Sequence, residues 1–213
     1  MPFWTDEVVP RVTDKMLGSR EVAGHRRRVI EGLRGDVVEI GFGSGLNVPH
    51  YPTEVTTVFA VDPSRVGRKL SAERVAASAV PIRFVGLDGE SLPLDDESCD
   101  AALSTFTLCT IPDAGRAVRE VYRVLRPGGR FHFLEHGLCP EAGVAKWQQR
   151  FNPIQQRLAG GCTLDRPIDG LVRDAGFEIT ELHHDQLAGP DFMKPWSYLY
   201  EGTATKPGAA TVN

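Results

Sequence analysis

Three short stretches carry residues whose types and spacing suit the binding of a nucleoside. The first is Glu39-Ile-Gly41-Phe-Gly43-Ser-Gly45. Glycine permits a tight turn and lets another group approach the backbone with no Cβ in the way. The spacing is GxGxG, not the GxGxxG of the dinucleotide fingerprint, and the lysine and hydroxyl residue of a phosphate-binding P-loop are absent. The second is Asp62-Pro63, 17 residues after Gly45. An acid at that position can accept hydrogen bonds from both hydroxyls of a ribose. It is also a suitable cap for a following helix. The third is Asp88-Gly89-Glu90, where Asp88 can accept from the exocyclic amine of an adenine. Taken alone, that stretch is better read as a surface Asp-Gly turn.

The elements around these stretches explain how they could converge. Val37, Val38 and Ile40 form a short β-rich run ahead of the glycines, and Val55–Val61 forms a second that stops at Asp62. A helix is predicted over 64–79, a third strand over 81–85 and a loop over 86–98. Ala101–Phe106 reads as strand four. Pro112 is expected to start a helix, and that helix carries Val118, Val121, Tyr122 and Leu125 on one amphipathic face. Arg126-Pro127-Gly128-Gly129 is predicted to end it, and Arg130–Glu135 to be strand five. A helix and loop are expected over 140–165 and a helix over 167–175. Two last strands are expected at Glu178–Leu187 and Pro195–Thr203.

Alternation of strands and helices predicts an α/β fold, a doubly wound, mostly parallel sheet covered on both faces. The two closing strands, with no long helix between them, predict an antiparallel hairpin at one edge. In open sheets of this type ligands sit beyond the carboxyl ends of the strands, near the switch in strand order. The three stretches all fall there. No internal repeat or linker divides the chain, so residues 1–204 are expected to form one domain. Residues 1–35 are expected to be a helical segment over the site, and 205–213 a frayed tail without apolar content.

Composition narrows the function. The 213 residues balance 24 basic against 28 acidic side chains, a net charge of −4, which offers no footprint for a phosphate backbone. The densest basic run, Arg26-Arg27-Arg28, is expected to be the solvated face of a helix. Nucleic acid is therefore not expected as a partner. No apolar stretch reaches the roughly 18 residues of a membrane span. Cys99, Cys109, Cys139 and Cys162 make no CxxC pair, and the six histidines have no metal-ligand spacing. The expectation is a cytoplasmic protein with buried reduced thiols and no metal. Nothing in the pattern fixes the oligomeric state.

With Asp100–Cys109 and Val124–Arg130 added, five blocks stand in an order that resembles the class I S-adenosylmethionine-dependent methyltransferases, closely so over residues 35–137. The resemblance implies a Rossmann-like seven-stranded sheet with the last strand inserted antiparallel. It implies S-adenosyl-L-methionine as cofactor and S-adenosyl-L-homocysteine as product. Gly41, Gly43 and Gly45 would line the methionine part, with Glu39 near its amino group. Asp62 and Pro63 would hold the ribose, Asp88, Gly89 and Glu90 would flank the adenine, and Thr105 would lie near the methyl donor.

A narrower resemblance, to the methyltransferase-like thiol methyltransferases of animals, rests on several further stretches. These are Gly45-Leu-Asn47 through Tyr51-Pro52, Thr107-Leu-Cys109, Phe133-Leu-Glu135-His136, Trp147-Gln148-Gln149, Asn152-Pro153 and Gly161-Cys162-Thr-Leu. It implies a small-molecule acceptor such as an alkyl thiol. A phenol, quinone or lipid-like acceptor is the alternative on the same fold. From a different class, an NAD(P)-dependent oxidoreductase or a non-catalytic cofactor-binding module would use a similar sheet.

For the transfer itself, His136 just past strand five is the candidate base or acceptor-orienting group, and Asp165 a second. A thiol acceptor makes a strong base optional, because free thiols titrate only about 1.5 units above neutrality. The acceptor pocket is expected to draw on Trp4, Cys109, Trp147, Asn152 and Cys162. No nucleophilic role is assigned to Cys109, because no base stands beside it in sequence.

Overall fold

The computed structural model describes residues 3–208. Seven strands form one sheet in the order β3-β2-β1-β4-β5-β7-β6. The strands are β1 (Gly35–Ile40), β2 (Val55–Val61), β3 (Ile82–Gly86), β4 (Cys99–Thr105), β5 (Leu125–His136), β6 (Glu178–Gln186) and β7 (Tyr198–Thr205). β1 pairs in parallel with both β2 and β4, and β4 in parallel with β5. β7 enters antiparallel between β5 and β6. The strand order reverses between β1 and β4, so the loops after these two strands flank the crevice.

The helices are α1 (Val9–Leu17), α2 (Arg20–Ile30), α3 (Arg65–Ala76), α4 (Ala114–Val124), α5 (Ala142–Leu158), α6 (Ile168–Asp174) and the short α7 (Lys194–Ser197). A π-helical turn, Trp4–Val8, precedes α1. α4 buries Ala117, Val118, Val121 and Val124 against Phe131 and Phe133 of β5. On the other sheet face Val29, Ile30 and Leu33 pack on Val37, Val58 and Leu103. Each of these Val, Leu, Ile and Phe side chains removed from water contributes roughly 1.5–3 kcal/mol, and together they fix the strand tips as one rigid edge.

Four local expectations are corrected. Asp113 caps α4 through Arg116 N, so Pro112 lies before the cap and not inside the helix. α4 stops at Val124, and β5 already begins at Leu125, running through Pro127-Gly128-Gly129 with Gly128 at φ +80°. Residues 195–197 belong to α7, because Pro195 starts a helix more readily than it joins a central strand. The tail does not begin at Thr205. Thr205 pairs with Arg130, and Lys206 is buried with its Nζ donating to Leu125 O at 2.8 Å. Of the expected tail, residues 209–213 lie outside the described residues. Among the described residues no helix is long and apolar enough to cross a membrane.

Candidate active site

The glycine loop leaves β1, and its three glycines do different work. Gly41 has φ +71°, and a Cβ there would lie 1.8 Å from Thr107 Oγ1, so its bareness is filled by the β4 loop. Gly45, at φ +75°, faces Ser71, Val48 and Phe42. Only at Gly43 (φ +55°) would a Cβ enter nearly open space, the nearest atom being Gly41 O at 3.8 Å. Gly43 therefore supplies the open floor of the crevice.

Asp62 closes this loop onto β2. Its Oδ2 accepts from Gly43 N at 2.8 Å and its Oδ1 from Ser64 N at 2.6 Å. Burial raises its pKa, against the two backbone donors. Carboxylate oxygens carry two lone-pair sites each, so capacity for further donors remains. Pro63 is exposed at the same tip. After β3, exposed Asp88 accepts from Glu90 N at 2.8 Å, and Glu90 accepts from Asp113 N at 3.0 Å. A Cβ on Gly89 would meet Ile111 at 3.2 Å and Ile40 at 3.9 Å, which puts the tips of β1 and β3 side by side.

Between β1 and β4 lies a buried polar network. Glu39, 1 % exposed, accepts from Asn47 Nδ2 at 2.9 Å and from the Tyr51 hydroxyl. Burial pushes its pKa up to about 7. Arg26 Nη1 donates to Asn47 Oδ1 at 2.7 Å and to Thr105 Oγ1 at 2.8 Å. Arg26 is 4 % exposed, and its Nε has no partner. The expectation of a solvated basic face is thus overturned for this residue. Val22, His25, Arg26, Val29, Ile30 and Leu33 all lie in the buried stripe of α2 and its end, while Arg27 stays exposed. Arg28 is bound to Glu201 of β7 at 2.9 Å. The i, i+3, i+4, i+7 spacing of that stripe was visible in the sequence, with two polar residues standing in apolar slots.

The β4 tip turns sharply. Phe106 adopts φ +54°, a conformation costly to a side chain with a Cβ. The turn is held by Glu135, whose carboxylate accepts from Ser104 Oγ at 2.6 Å, Thr107 N at 2.9 Å and Leu108 N at 3.2 Å. Burial lifts the pKa of Glu135 to about 7. The turn sends Cys109 toward the end of β5.

There Cys109, His136 and Cys162 meet. Their side-chain ligand atoms all lie within 4.8 Å of one another, and Cys162 Sγ is 3.3 Å from His136 Nε2. All three residues are buried. The Cys109 thiol beside it, assisted by His136, drives the Cys162 pKa down to about 4, against burial. Burial opposes a charged His136, but Cys162 and Glu135 raise its pKa overall. Both directions favour a thiolate on Cys162 and a proton on His136. The segment carrying Cys162 is fixed to the β4 loop by Thr163, whose N and Oγ1 both donate to Cys109 O at 2.8 Å. Asn152 Oδ1 accepts from Leu164 N at 2.7 Å and holds the other side.

Other expected site residues stand apart. Trp147 is 54 % exposed and stacks on Phe151 with centroids 5.0 Å apart. Trp4 is 43 % exposed and donates to Leu158 O at 2.7 Å, which docks the amino-terminal turn on the end of α5. Asp165 makes no hydrogen bond or ion pair among the described residues. Two surface cavities, of about 490 and 240 Å³, lie beside β6 and beside α7, so the crevice is assigned by converging groups and not by depth.

The residues fit the S-adenosylmethionine implied by the resemblance on two counts. The bare Gly43 leaves room for a ligand against the backbone, and the buried unpartnered Nε of Arg26 is a donor without an acceptor beside Glu39 and Thr105. A buried donor left unmade costs about 1–3 kcal/mol, which a carboxylate in the crevice would recover.

Comparison with known proteins identifies the family of the fold. The methyltransferase-domain family matches residues 38–133. The human thiol S-methyltransferase TMT1A is 34 % identical over 170 residues, covering 77 % of this chain and 69 % of the relative. Human thiol S-methyltransferase TMT1B is 32 % identical over 187 residues, covering 85 % and 76 %. The crystal structure of a methyltransferase from Thermotoga maritima, described as a possible histamine N-methyltransferase, superposes with a TM-score of 0.67 at 23 % identity, over 97 % of this chain and all (100 %) of that one. These similarities set aside the dinucleotide oxidoreductase. The chain belongs to the class I S-adenosylmethionine-dependent methyltransferases, in which it resembles the TMT1 thiol S-methyltransferases.

Proposed function

We propose that this enzyme methylates the sulfur of a small thiol. The carrying observation is the Cys109–His136–Cys162 cluster beside the crevice. His136, whose pKa is raised by Cys162 and Glu135, offers the positive charge that favours the thiolate of an entering acceptor. The names of the two human relatives, both thiol S-methyltransferases, support the same acceptor class.

In this reading Gly41, Gly43 and Gly45 form the wall for the methionine part of the cofactor. Glu39 faces its ammonium and Arg26 Nε its carboxylate. Asp62, with Pro63 beside it, receives the ribose hydroxyls. Asp88, Gly89 and Glu90 border the adenine. Thr105, gripped by Arg26 and Asn47, sets the depth of the donor end. When bound, S-adenosylmethionine supplies a methyl group already activated on a sulfonium. The protein's share is alignment of the acceptor opposite the departing sulfur and exclusion of water. Cys109, His136 and Cys162 form the acceptor wall, supported by Asn152. His136, protonated beside Cys162, is the group that orients the acceptor's thiolate.

A panel of small thiols, phenols and amines, scored by product mass, tests this. Thioether formation matched one for one by S-adenosylhomocysteine is expected from thiols. Methylated phenol or amine with no thioether would overturn the assignment.

A further inference from the structure

We propose that Cys109, His136 and Cys162 form a zinc site with one open position, which takes the acceptor sulfur. The inference rests on the thiol reading above and names the means by which that site activates its substrate.

The ligand set is the first argument. Two cysteines and one histidine, with a fourth position left to water or substrate, form a known catalytic zinc arrangement. Thiolate and imidazole are the donors that zinc prefers over hard cations. Geometry is the second. Tetrahedral zinc, with bonds of about 2.3 Å to sulfur and about 2.0–2.1 Å to nitrogen, sets ligands about 3.5–3.8 Å apart. Cys162 Sγ and His136 Nε2 are already 3.3 Å apart, and every pair in the cluster lies within 4.8 Å. Gathering them around an ion needs only rotamer adjustment.

Rigidity is the third. The three ligands come from the β4 loop, the β5 end and the segment after α5. Glu135 clamps the first through the Thr107 and Leu108 amides, and Thr163 ties the third to the first. Placement is the fourth. Thr107, two residues before Cys109, reaches Gly41 O at 3.5 Å, so the cluster adjoins the glycine loop. His136 is 9 % and Cys162 8 % exposed, so the cluster is nearly sealed and a ligand bound there is largely dry.

A thiol entering the open position binds as its thiolate and releases its proton to solvent. Its sulfur lone pair forms the new carbon–sulfur bond as the donor's carbon–sulfonium bond breaks, the electron pair of that bond staying on the donor sulfur. The product thioether is neutral and a weaker ligand than a thiolate, so it leaves the ion. With zinc bound, His136 gives up its proton to solvent and acts as a neutral ligand, and the ion in its place holds the acceptor as a thiolate.

The test uses the full chain, reduced and metal-free, titrated with cobalt(II) as a spectroscopic stand-in for zinc. One equivalent is expected to give the intense visible bands of tetrahedral cobalt together with thiolate-to-cobalt charge transfer. Zinc should displace it, and ethanethiol should raise the charge-transfer intensity. Cys162→Ser and His136→Gln should each weaken binding at least 100-fold, while Cys139→Ser, at a buried thiol outside the cluster, should not. Circular dichroism and S-adenosylhomocysteine affinity of every variant report folding independently of metal. Weak octahedral cobalt spectra, or equal loss with Cys139→Ser, would overturn the zinc site. So would a wild-type protein that binds S-adenosylhomocysteine and forms a Cys109–Cys162 disulfide but takes up no metal. Failure to bind S-adenosylhomocysteine would instead strike the functional reading.

Discussion

Arg26 Nη1 donates to Thr105 Oγ1 at 2.8 Å, so helix α2 is anchored to the tip of β4. In the proposed function this anchor makes α2 a wall of the crevice. Arg26→Ala is expected to reduce S-adenosylhomocysteine affinity tenfold or more, because it removes the donor facing the ligand carboxylate and leaves Asn47 and Thr105 short of a partner. Arg27→Ala, exposed on the same helix, should leave affinity unchanged. Calorimetric titration of both variants decides; equal effects would remove Arg26 from the site.

Gly41 and Gly43 separate fold from function. Gly41→Ala drives a Cβ into Thr107 and should destabilise the protein by roughly 3 kcal/mol or more through overpacking and a left-handed backbone. Gly43→Ala meets no protein atom closer than 3.8 Å, so its cost should stay near the ~1–2 kcal/mol of the backbone alone. Its loss of cofactor affinity should be the larger effect. Urea denaturation paired with binding measurements checks the contrast, which reverses if the open space at Gly43 is not the ligand's.

Glu39 and Glu135 each titrate near 7 in the fold, against a carboxyl value of 4.5, because burial disfavours their charge. Between those values the folded protein binds more protons than the unfolded chain, so their contribution makes stability fall as pH rises from about 4.5 to about 7. Each unit of difference corresponds to about 1.4 kcal/mol. Glu39→Gln and Glu135→Gln should each flatten the fall in unfolding free energy between pH 5 and pH 7.5. An unchanged slope in both would mean that the carboxylates are ionised throughout.

The strands and the glycine loop were legible because each is local. β-branched runs alternate with amphipathic helices, and Gly41–Gly45, Asp62 and Asp88–Glu90 all follow strands, where sheet topology alone makes them converge. The inward turn of Arg26 was legible in principle from the α2 stripe. A run of three arginines suggests solvent, but burial phase follows the stripe, and Arg26 is offset from Arg27 by a helical step of about 100°. The Cys109–His136–Cys162 cluster was not legible as a unit. Its members are 27 and 26 residues apart on three segments, and only the sheet order and the Thr163 tie bring them together. Trp147 was expected to line the acceptor pocket, yet helix phase turns it outward.

Lys206 shows why composition misjudged the carboxyl-terminal tail. Its Nζ lies 4.8 Å from the ring centroid of Tyr122 and donates to Leu125 O, so a charged residue acts as a strap between β7 and the start of β5. Lys206→Ala is expected to cost about 1–3 kcal/mol by leaving that buried carbonyl unmade. Thermal unfolding reports it, and no change in Tm would show that water replaces the ammonium freely.

The most direct test of the whole account is a crystal structure of the protein with S-adenosylhomocysteine. The account predicts the ribose hydroxyls on Asp62, the adenine beside Asp88 and Gly89, the carboxylate on Arg26 Nε, and the sulfur aimed at Cys109, His136 and Cys162. Density for the ligand elsewhere, with the tips of β1, β2 and β3 left bare, would contradict it.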